Sequence, residues 1–286
     1  MKILITGANG QLGITLQHLA PPVHKIVPLT SRQLDITNRK AVLETIREIR
    51  PDTIINAAAY TAVDKAESEP DIAMAVNAHG PENLAIAAQE TACRLIHLST
   101  DFVFDGQKCR PYTPEDEPNP LNVYGATKLA GEQAIGRILG EEALIIRTAW
   151  VHSPYGHNFV KTMIRLMRER EEIRVVADQF GTPTSTRSLT KALYRFAEIP
   201  TTNGIHHWTD NGTATWYDFA VAIHSHLTQT GTIACQRIIP IPTSEYPTPA
   251  TRPTFSILDK QGSIHLLGYH PNHWSAELHI SETKTP

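Results

Sequence analysis

An apolar run at the very start of the chain, Lys2-Ile3-Leu4-Ile5-Thr6, ends on Gly7, and glycine returns at Gly10 and Gly13. A short buried strand that breaks into a glycine turn and then a helix commits a chain to the opening βα unit of a doubly wound sheet. Between the glycines stand Ala8, Asn9, Gln11 and Leu12, giving the spacing G-x-x-G-x-x-G. Glycine lets the backbone turn sharply and lets a phosphate approach the helix N-terminus, whose free N–H groups and dipole favour anions. A glycine triplet alone also describes a plain tight turn; the strand before it and the helix after it select the nucleotide-binding reading.

The next 140 or so residues repeat that unit. Strand-like runs at Lys25–Leu29, Thr53–Asn56, Arg94–Leu98 and Ala143–Arg147 alternate with helical spacing over 11–20, 38–50, 72–91 and 122–139. This rhythm predicts an α/β fold, a Rossmann-type doubly wound parallel sheet covered on both faces. Past Trp150 the pattern loosens into helices near Asn158–Arg170, Ser188–Ile199 and Trp216–Thr228, a proline-rich connection over Ile239–Pro253, and a frayed tail, Ser281–Pro286. Residues 1–150 are therefore expected to form a dinucleotide-binding domain carrying the catalytic residues. Residues 151–286 are expected to be mainly a smaller, mixed substrate-binding region, some of whose segments can return to the first domain.

Charge and composition remove several classes. With 26 basic and 29 acidic residues the net charge is −3, so a nucleic-acid partner has no electrostatic basis. No apolar run approaches the ~18 residues of a membrane span, and the first apolar run is too short for a signal peptide. Cys93, Cys109 and Cys235 are too few and too scattered for a disulfide framework, which points to a cytoplasmic protein. The 14 histidines show no metal-ligand spacing.

After the second strand the sequence reads Leu29-Thr30-Ser31-Arg32, without the acidic residue that would take a ribose 2′-hydroxyl. A hydroxyl and a guanidinium there suit a 2′-phosphate, which favours NADPH over NADH; Asp35 and Ile36 follow where an adenine would lie. Ala58 and Ala59 keep the end of the third strand small. Ser99-Thr100-Asp101 ends the fourth strand, the side on which open α/β sheets hold ligands. Tyr124 and Lys128 then share a helix face at i and i+4. A phenol near its ordinary pKa of ~10 is a poor acid at neutral pH, and a neighbouring ammonium is expected to lower it. With a Thr100 hydroxyl holding the substrate oxygen, the three side chains suit proton delivery to a carbonyl that receives a hydride. Glu115-Asp116-Glu117 reads as a solvated acidic turn, and Asp101 and Asp105 as loop-shaping acceptors.

Longer strings extend the match. They include Ala58-Ala59-Tyr60-Thr61-Ala62-Val63-Asp64-Lys65-Ala66-Glu67, Val76-Asn77, Ser99-Thr100-Asp101-Phe102-Val103-Phe104-Asp105-Gly106, Tyr124-Gly125-Ala126-Thr127-Lys128, Arg147-Thr148-Ala149-Trp150, Asp178-Gln179, Gly181-Thr182-Pro183-Thr184 and Arg252-Pro253. Together with the glycine turn they resemble the extended short-chain dehydrogenase/reductase superfamily and, within it, the dTDP-4-dehydrorhamnose reductases, up to about Trp274. The resemblance implies NAD(P)H-dependent reduction of a 4-keto dTDP-sugar, with Tyr124 as proton donor, Lys128 lowering its pKa and binding the nicotinamide ribose, and Thr100 orienting the carbonyl. Residue reading and resemblance together make Gly7, Asn9, Gly10, Gln11, Leu12, Gly13, Ser31, Arg32, Asp35, Ile36, Ala58, Ala59, Tyr60, Asn77, Tyr124 and Lys128 the cofactor candidates. Val63, Asp64, Thr100, Asp101, Phe102, Trp150 and Arg252 are the substrate candidates; Arg252 suits a diphosphate or a nearby carboxylate equally. Phe102 stands where the family often has tyrosine, which removes one hydroxyl from the sugar side. Some members pair as homodimers with magnesium held by carboxylates; no motif identifies those carboxylates here, and neither feature is assigned. Competing readings are a sugar-nucleotide epimerase or dehydratase of the same superfamily, and a non-catalytic regulatory homologue.

Overall fold

Strand residues in the first half bury alternately on two sides of one sheet. Ile3, Ile5, Ile55, Ile96, Leu98, Leu144 and Ile146 join one core cluster, while Leu4, Ile54, Leu95 and Ile145 join another. A strand buried on both faces needs helices above and below, and the sequence supplies them. The structure is a computed structural model that describes residues 1–231 and 233–279; the tail Ser281–Pro286 lies outside the described residues.

In chain order the first half runs β1 (Lys2–Thr6), α1 (Gln11–His18), β2 (Lys25–Leu29), α2 (Arg39–Ile49), β3 (Thr53–Asn56), α3 (Val63–Ala66), α4 (Pro70–Met74), a π turn (Ala75–His79), α5 (Gly80–Thr91), β4 (Arg94–Thr100), α6 (Val123–Leu139) and β5 (Leu144–Thr148). The second half runs β6 (Val151–His152), α7 (Phe159–Glu169), β7 (Glu172–Val176), β8 (Phe180–Gly181), β9 (Thr184–Ser185), α8 (Thr186–Glu198), β10 (Gly204–His207), β11 (Ala214–Thr215), α9 (Trp216–Thr230), β12 (Arg237–Ile241) and α10 (Gln261–Leu267).

The main sheet has six strands in the order β10-β5-β4-β3-β1-β2, and every pairing in it is parallel. The fold is thus a Rossmann-type α/β sheet. Chain direction across the sheet reverses between β1 and β3, so the crevice at their C-terminal ends is the ligand position of such sheets. One face is covered by residues of α1, α8 and α10, including Leu16, Leu193, Phe196 and Leu267. The other is covered by α2, α5 and α6 through Val42, Ile46, Leu84, Ala88 and Ile135. Strand β10 and helices α8 and α10 thus complete the sheet's layers although they lie past residue 150. A separate core gathers α7, β7 and α9 around Met167, Ile173, Phe219 and Ile223.

Two differences from the sequence reading concern how elements begin or break. The expected single helix over 72–91 is interrupted by the π turn, closed by the Gly80 N–H on the Ala75 carbonyl. Pro81 carries no N–H for the helical bond to the Asn77 carbonyl. A Cβ on Gly131 of α6 would lie 2.2 Å from that same oxygen, so α6 packs directly on the turn. The proline-rich connection begins as a strand: Ile239 and Pro240 lie in β12, which runs parallel to β7 in a two-stranded pair.

Candidate active site

The glycine turn sits at the sheet's reversal point. Gly7 has φ +65°, and a Cβ there would lie 2.7 Å from the Ala57 carbonyl oxygen, so the turn after β1 packs on the end of β3 only with glycine at this position. Gly10 is exposed and N-caps α1 without a side-chain cap, leaving the first N–H groups of the helix free of one. Asn9 is exposed and Leu12 is packed against the core. Gln11 faces sideways, its Oε1 accepting from Ser153 Oγ at 3.0 Å and from Asn158 Nδ2 at 2.8 Å, and so ties the turn to the second half of the chain.

Ser31 and Arg32 are exposed just past β2. Asp35 is exposed too, its Oδ1 accepting from the Thr37 N–H and hydroxyl, while Ile36 is buried against Gly80. Ala58 and Ala59 are half-buried. Asn77 is fully buried in the π turn. It accepts from the Tyr60 N–H at 2.8 Å and donates to the Tyr60 carbonyl at 3.0 Å and to Thr127 Oγ1 at 3.1 Å. All three bonds hold protein groups, so Asn77 fixes the loop after β3. The Tyr60 phenol donates to Glu69 at 2.7 Å.

Strand β4 runs two residues further than expected and delivers Thr100 at its tip. The Thr100 hydroxyl donates to Asp101 Oδ1 at 3.1 Å and accepts the Phe102 N–H at 3.2 Å. Asn122 caps α6 by accepting from the Gly125 N–H, and a Cβ on Gly125 would lie 2.1 Å from the Phe102 carbonyl oxygen. The start of α6 therefore lies tight against the end of β4, and this brings Tyr124 to Thr100. The Phe102 ring meets the Tyr124 ring edge-on with centroids 5.8 Å apart.

The expected lowering of the phenol by Lys128 does not appear. Burial pushes Tyr124 up to about 12, opposed by the Thr100 hydroxyl and reinforced by the charge of Asp101. Lys128 is buried and donates to the Leu98 carbonyl at 2.6 Å, with His97 Nε2 3.2 Å from the same nitrogen. Burial pushes Lys128 down to about 8, against the favourable charge of Glu132. Burial also pushes Asp101 up to about 7 in spite of hydrogen bonds with Ser256 and Thr100.

Of the residues expected on the sugar side, Val63 is half-buried, and Asp64 and Arg252 meet each other. Arg252 donates to both Asp64 oxygens, at 3.0 and 2.8 Å, so the guanidinium has the carboxylate of its two expected partners; its hydrogen bonds hold the Asp64 carboxyl below its ordinary range. Trp150 has φ +46° and stacks flat on Trp216, centroids 3.5 Å apart and planes 5° from parallel. The acidic turn is not solvated throughout. Asp116 is half-buried and takes Lys108, Arg110 and the Thr113 N–H, and the Arg110 bond first of all pulls its carboxyl far down.

Sequence reasoning passed over His97, Trp216 and the pair formed by Glu132 and Arg147. The signal for His97 was a lone imidazole in the middle of an otherwise apolar strand. Among the described residues no group of three or more His, Cys, Asp or Glu side chains could hold a metal ion. No helix among them is long and apolar enough to cross a membrane.

The family model described as RmlD substrate binding domain matches residues 1–284. The dTDP-4-dehydrorhamnose reductase of Escherichia coli (strain K12) is 43% identical over 270 residues, covering 91% of this chain and 90% of the relative. That of Burkholderia thailandensis is 41% identical over 285 residues, covering 96% and 95%. The crystal structure of dTDP-4-dehydrorhamnose reductase from Bacillus anthracis in complex with NADP superposes with a TM-score of 0.91 at 40% identity, covering 97% of this chain and 96% of that one. A glycine turn at the sheet reversal, a threonine–tyrosine contact at its edge and full-length likeness to these reductases agree: the chain belongs to the dTDP-4-dehydrorhamnose reductase family of oxidoreductases.

Proposed function

We propose that the chain reduces the 4-keto group of dTDP-6-deoxy-L-lyxo-4-hexulose to give dTDP-L-rhamnose, with NADPH as reductant. The observation that carries this reading is the close packing of the start of α6, with Tyr124, on the tip of β4, with Thr100, at the C-terminal edge of the sheet on which the glycine turn also opens. The cofactor fits what the residues offer: an uncapped helix start at Gly10, glycine where a Cβ would strike backbone, and small Ala58 and Ala59 along the crevice. When bound, NADPH supplies the hydride. Gly7, Asn9, Gly10, Gln11, Leu12 and Gly13 would line its diphosphate, with Ser31 and Arg32 toward a 2′-phosphate and Asp35 and Ile36 beside the adenine. Ala58, Ala59, Tyr60 and Asn77 would shape the middle of the crevice. The NADP in the Bacillus anthracis relative supports the choice over NADH.

Thr100 holds the substrate carbonyl oxygen and Tyr124 delivers its proton to that oxygen as negative charge develops there. The buried phenol carries its proton at neutral pH, and the alkoxide formed by hydride transfer is basic enough to take it. Lys128 stands next along the helix face and would return a proton to the phenolate. Val63, Asp64, Asp101, Phe102, Trp150 and Arg252 would border the sugar nucleotide. Three unpaired cysteines support a cytoplasmic setting.

A steady-state assay tests this reading. NADPH should be consumed one for one with added 4-keto-6-deoxy dTDP-sugar. Interconversion of sugar nucleotides without net consumption, the behaviour of an epimerase that keeps its hydride, would overturn it.

A further inference from the structure

Behind Lys128 a line of buried polar side chains crosses three strands. Thr6 on β1 donates its hydroxyl proton to Asn56 Oδ1 at 2.6 Å; Asn56 Nδ2 on β3 lies 2.9 Å from His97 Nδ1; and His97 Nε2 on β4 lies 3.2 Å from Lys128 Nζ. Thr6, Asn56, His97 and Lys128 are each at most 2% exposed. A polar chain this deep in an apolar sheet has to satisfy every donor and acceptor, which fixes where the protons sit.

The Ala58 backbone N–H only donates, and it meets Asn56 Oδ1 at 3.2 Å. That orients the Asn56 amide, so its NH2 faces His97, and His97 Nδ1 accepts as a lone pair. A neutral imidazole then carries its proton on Nε2. Burial first, and the Lys128 charge second, hold His97 neutral well below its ordinary range. The Nε2–H points at the lysine nitrogen. An ammonium has three donors and no lone pair, so two donors would face each other; an amine has a lone pair to accept and still a proton for the Leu98 carbonyl.

We propose that His97 is a positioning residue for Lys128: locked by Asn56 as the Nε2–H tautomer, it presents a donor to the lysine nitrogen and so favours the amine over the ammonium there. The consequence rests on the reductase reading. Lys128 in this position is a weak partner for the Tyr124 phenol, and it acquires the charge that returns a proton only by turning its nitrogen from His97 toward the pocket. The other titratable groups packed at this corner are Tyr124 and Glu132 on α6, Asp101 after β4 and Arg147 on β5. Glu132, whose charge favours the ammonium, is itself paired with Arg147 at 2.6 Å.

The tautomer is read directly by ¹⁵N NMR of the uniformly labelled chain, with His97→Gln identifying the His97 signals. The expected pattern is a protonated Nε2 and a bare Nδ1; a protonated Nδ1 overturns the proposal. Lys128 is followed by its ε-carbon shift during a pH titration, assigned with Lys128→Arg. In His97→Gln an amide oxygen can accept from the ammonium, so the Lys128 midpoint should rise by about one pH unit or more, a shift of the size that a hydrogen bond to the charged form produces. Asn56→Asp keeps the Ala58 bond, accepts from His97 Nδ1 and switches the imidazole to the Nδ1–H tautomer; it should move the midpoint the same way with His97 in place. An unmoved midpoint in whichever of the two variants retains the wild-type circular dichroism overturns the proposal. Neither measurement needs substrate, so both stand if no keto-sugar reduction is found. If reduction is found, the alkaline limb of kcat/KM should move up with the Lys128 midpoint.

Discussion

A Cβ on Gly181 would lie 2.5 Å from Cε2 of Trp150, so the indole occupies the space that any other residue at 181 would fill. Trp150 is held there in a left-handed backbone conformation, with its carbonyl accepting the Thr184 N–H at 3.1 Å and its ring flat on Trp216. Trp216 in turn donates from Nε1 to Gln179 Oε1 at 3.1 Å. The β8–β9 segment, β6 and α9 thus meet at one indole that borders the proposed sugar side.

Gly181→Ala is expected to push the Trp150 ring off Trp216. Forcing a methyl group into packed space costs about 1–3 kcal/mol, so KM for the sugar nucleotide should rise about tenfold with kcat within a few fold. The coupled circular-dichroism bands of the stacked indoles should weaken in parallel. An unaltered spectrum together with an unaltered KM would show that the ring keeps its place without the glycine.

Arg32→Ala should weaken NADPH binding more than NADH binding, because only NADPH carries the 2′-phosphate that the guanidinium is proposed to meet. Fluorescence titration with each cofactor measures this. Equal losses for the two would end the 2′-phosphate assignment.

Arg147 and Glu132 are both buried and bonded side by side, Nε to Oε1 at 3.0 Å and Nη2 to Oε2 at 2.6 Å. Removing one partner leaves a charge without its counterpart, so Glu132→Gln should cost about 3–5 kcal/mol in urea unfolding. The double replacement Glu132→Leu with Arg147→Met should recover much of that loss. A single variant as stable as the parent would contradict the pair's role.

Asp210 is buried, accepts the Ser185 N–H at 2.9 Å and is pushed by burial up to about 7. Its folded value lies above its ordinary 3.8, so the folded chain holds the proton more tightly. The protonated carboxyl favours folding at low pH, and that contribution is lost as pH rises from about 4 to about 7. Asp210→Asn keeps an oxygen for Ser185 and removes the charge. It should stabilise the chain by about 1–3 kcal/mol at pH 8 and by little at pH 4, measured by urea unfolding at each pH. A gain that is the same at both values would contradict the burial argument.

Much of the sheet was legible because β1, β3, β4 and β5 send apolar side chains into both core layers, whereas β10, Gly204-Ile205-His206-His207, carries no apolar run and was not read. Lys25–Leu29 and Thr53–Asn56 have the bounds that their apolar runs suggest. The glycine turn and the shared helix face of Tyr124 and Lys128 were readable because they depend on neighbours a few residues away. What escaped depends on distant chain. The π turn requires Pro81 and the small Gly131 of another helix, and the ion pairs of Asp116 require Lys108 and Arg110 to fold over it. Lys128 was expected to act on Tyr124, but His97 and the Leu98 carbonyl, one strand away, take its nitrogen instead. Trp216 becomes part of the site only when α9 reaches Trp150.

The proton donor is the centre of the account, and Tyr124→Phe addresses it with the smallest change. Turnover of the 4-keto sugar nucleotide should fall at least ~10²-fold, the scale of lost acid catalysis, while NADPH affinity by fluorescence titration stays within a few fold. Turnover equal to that of the parent chain would mean that the proton reaches the new hydroxyl from elsewhere.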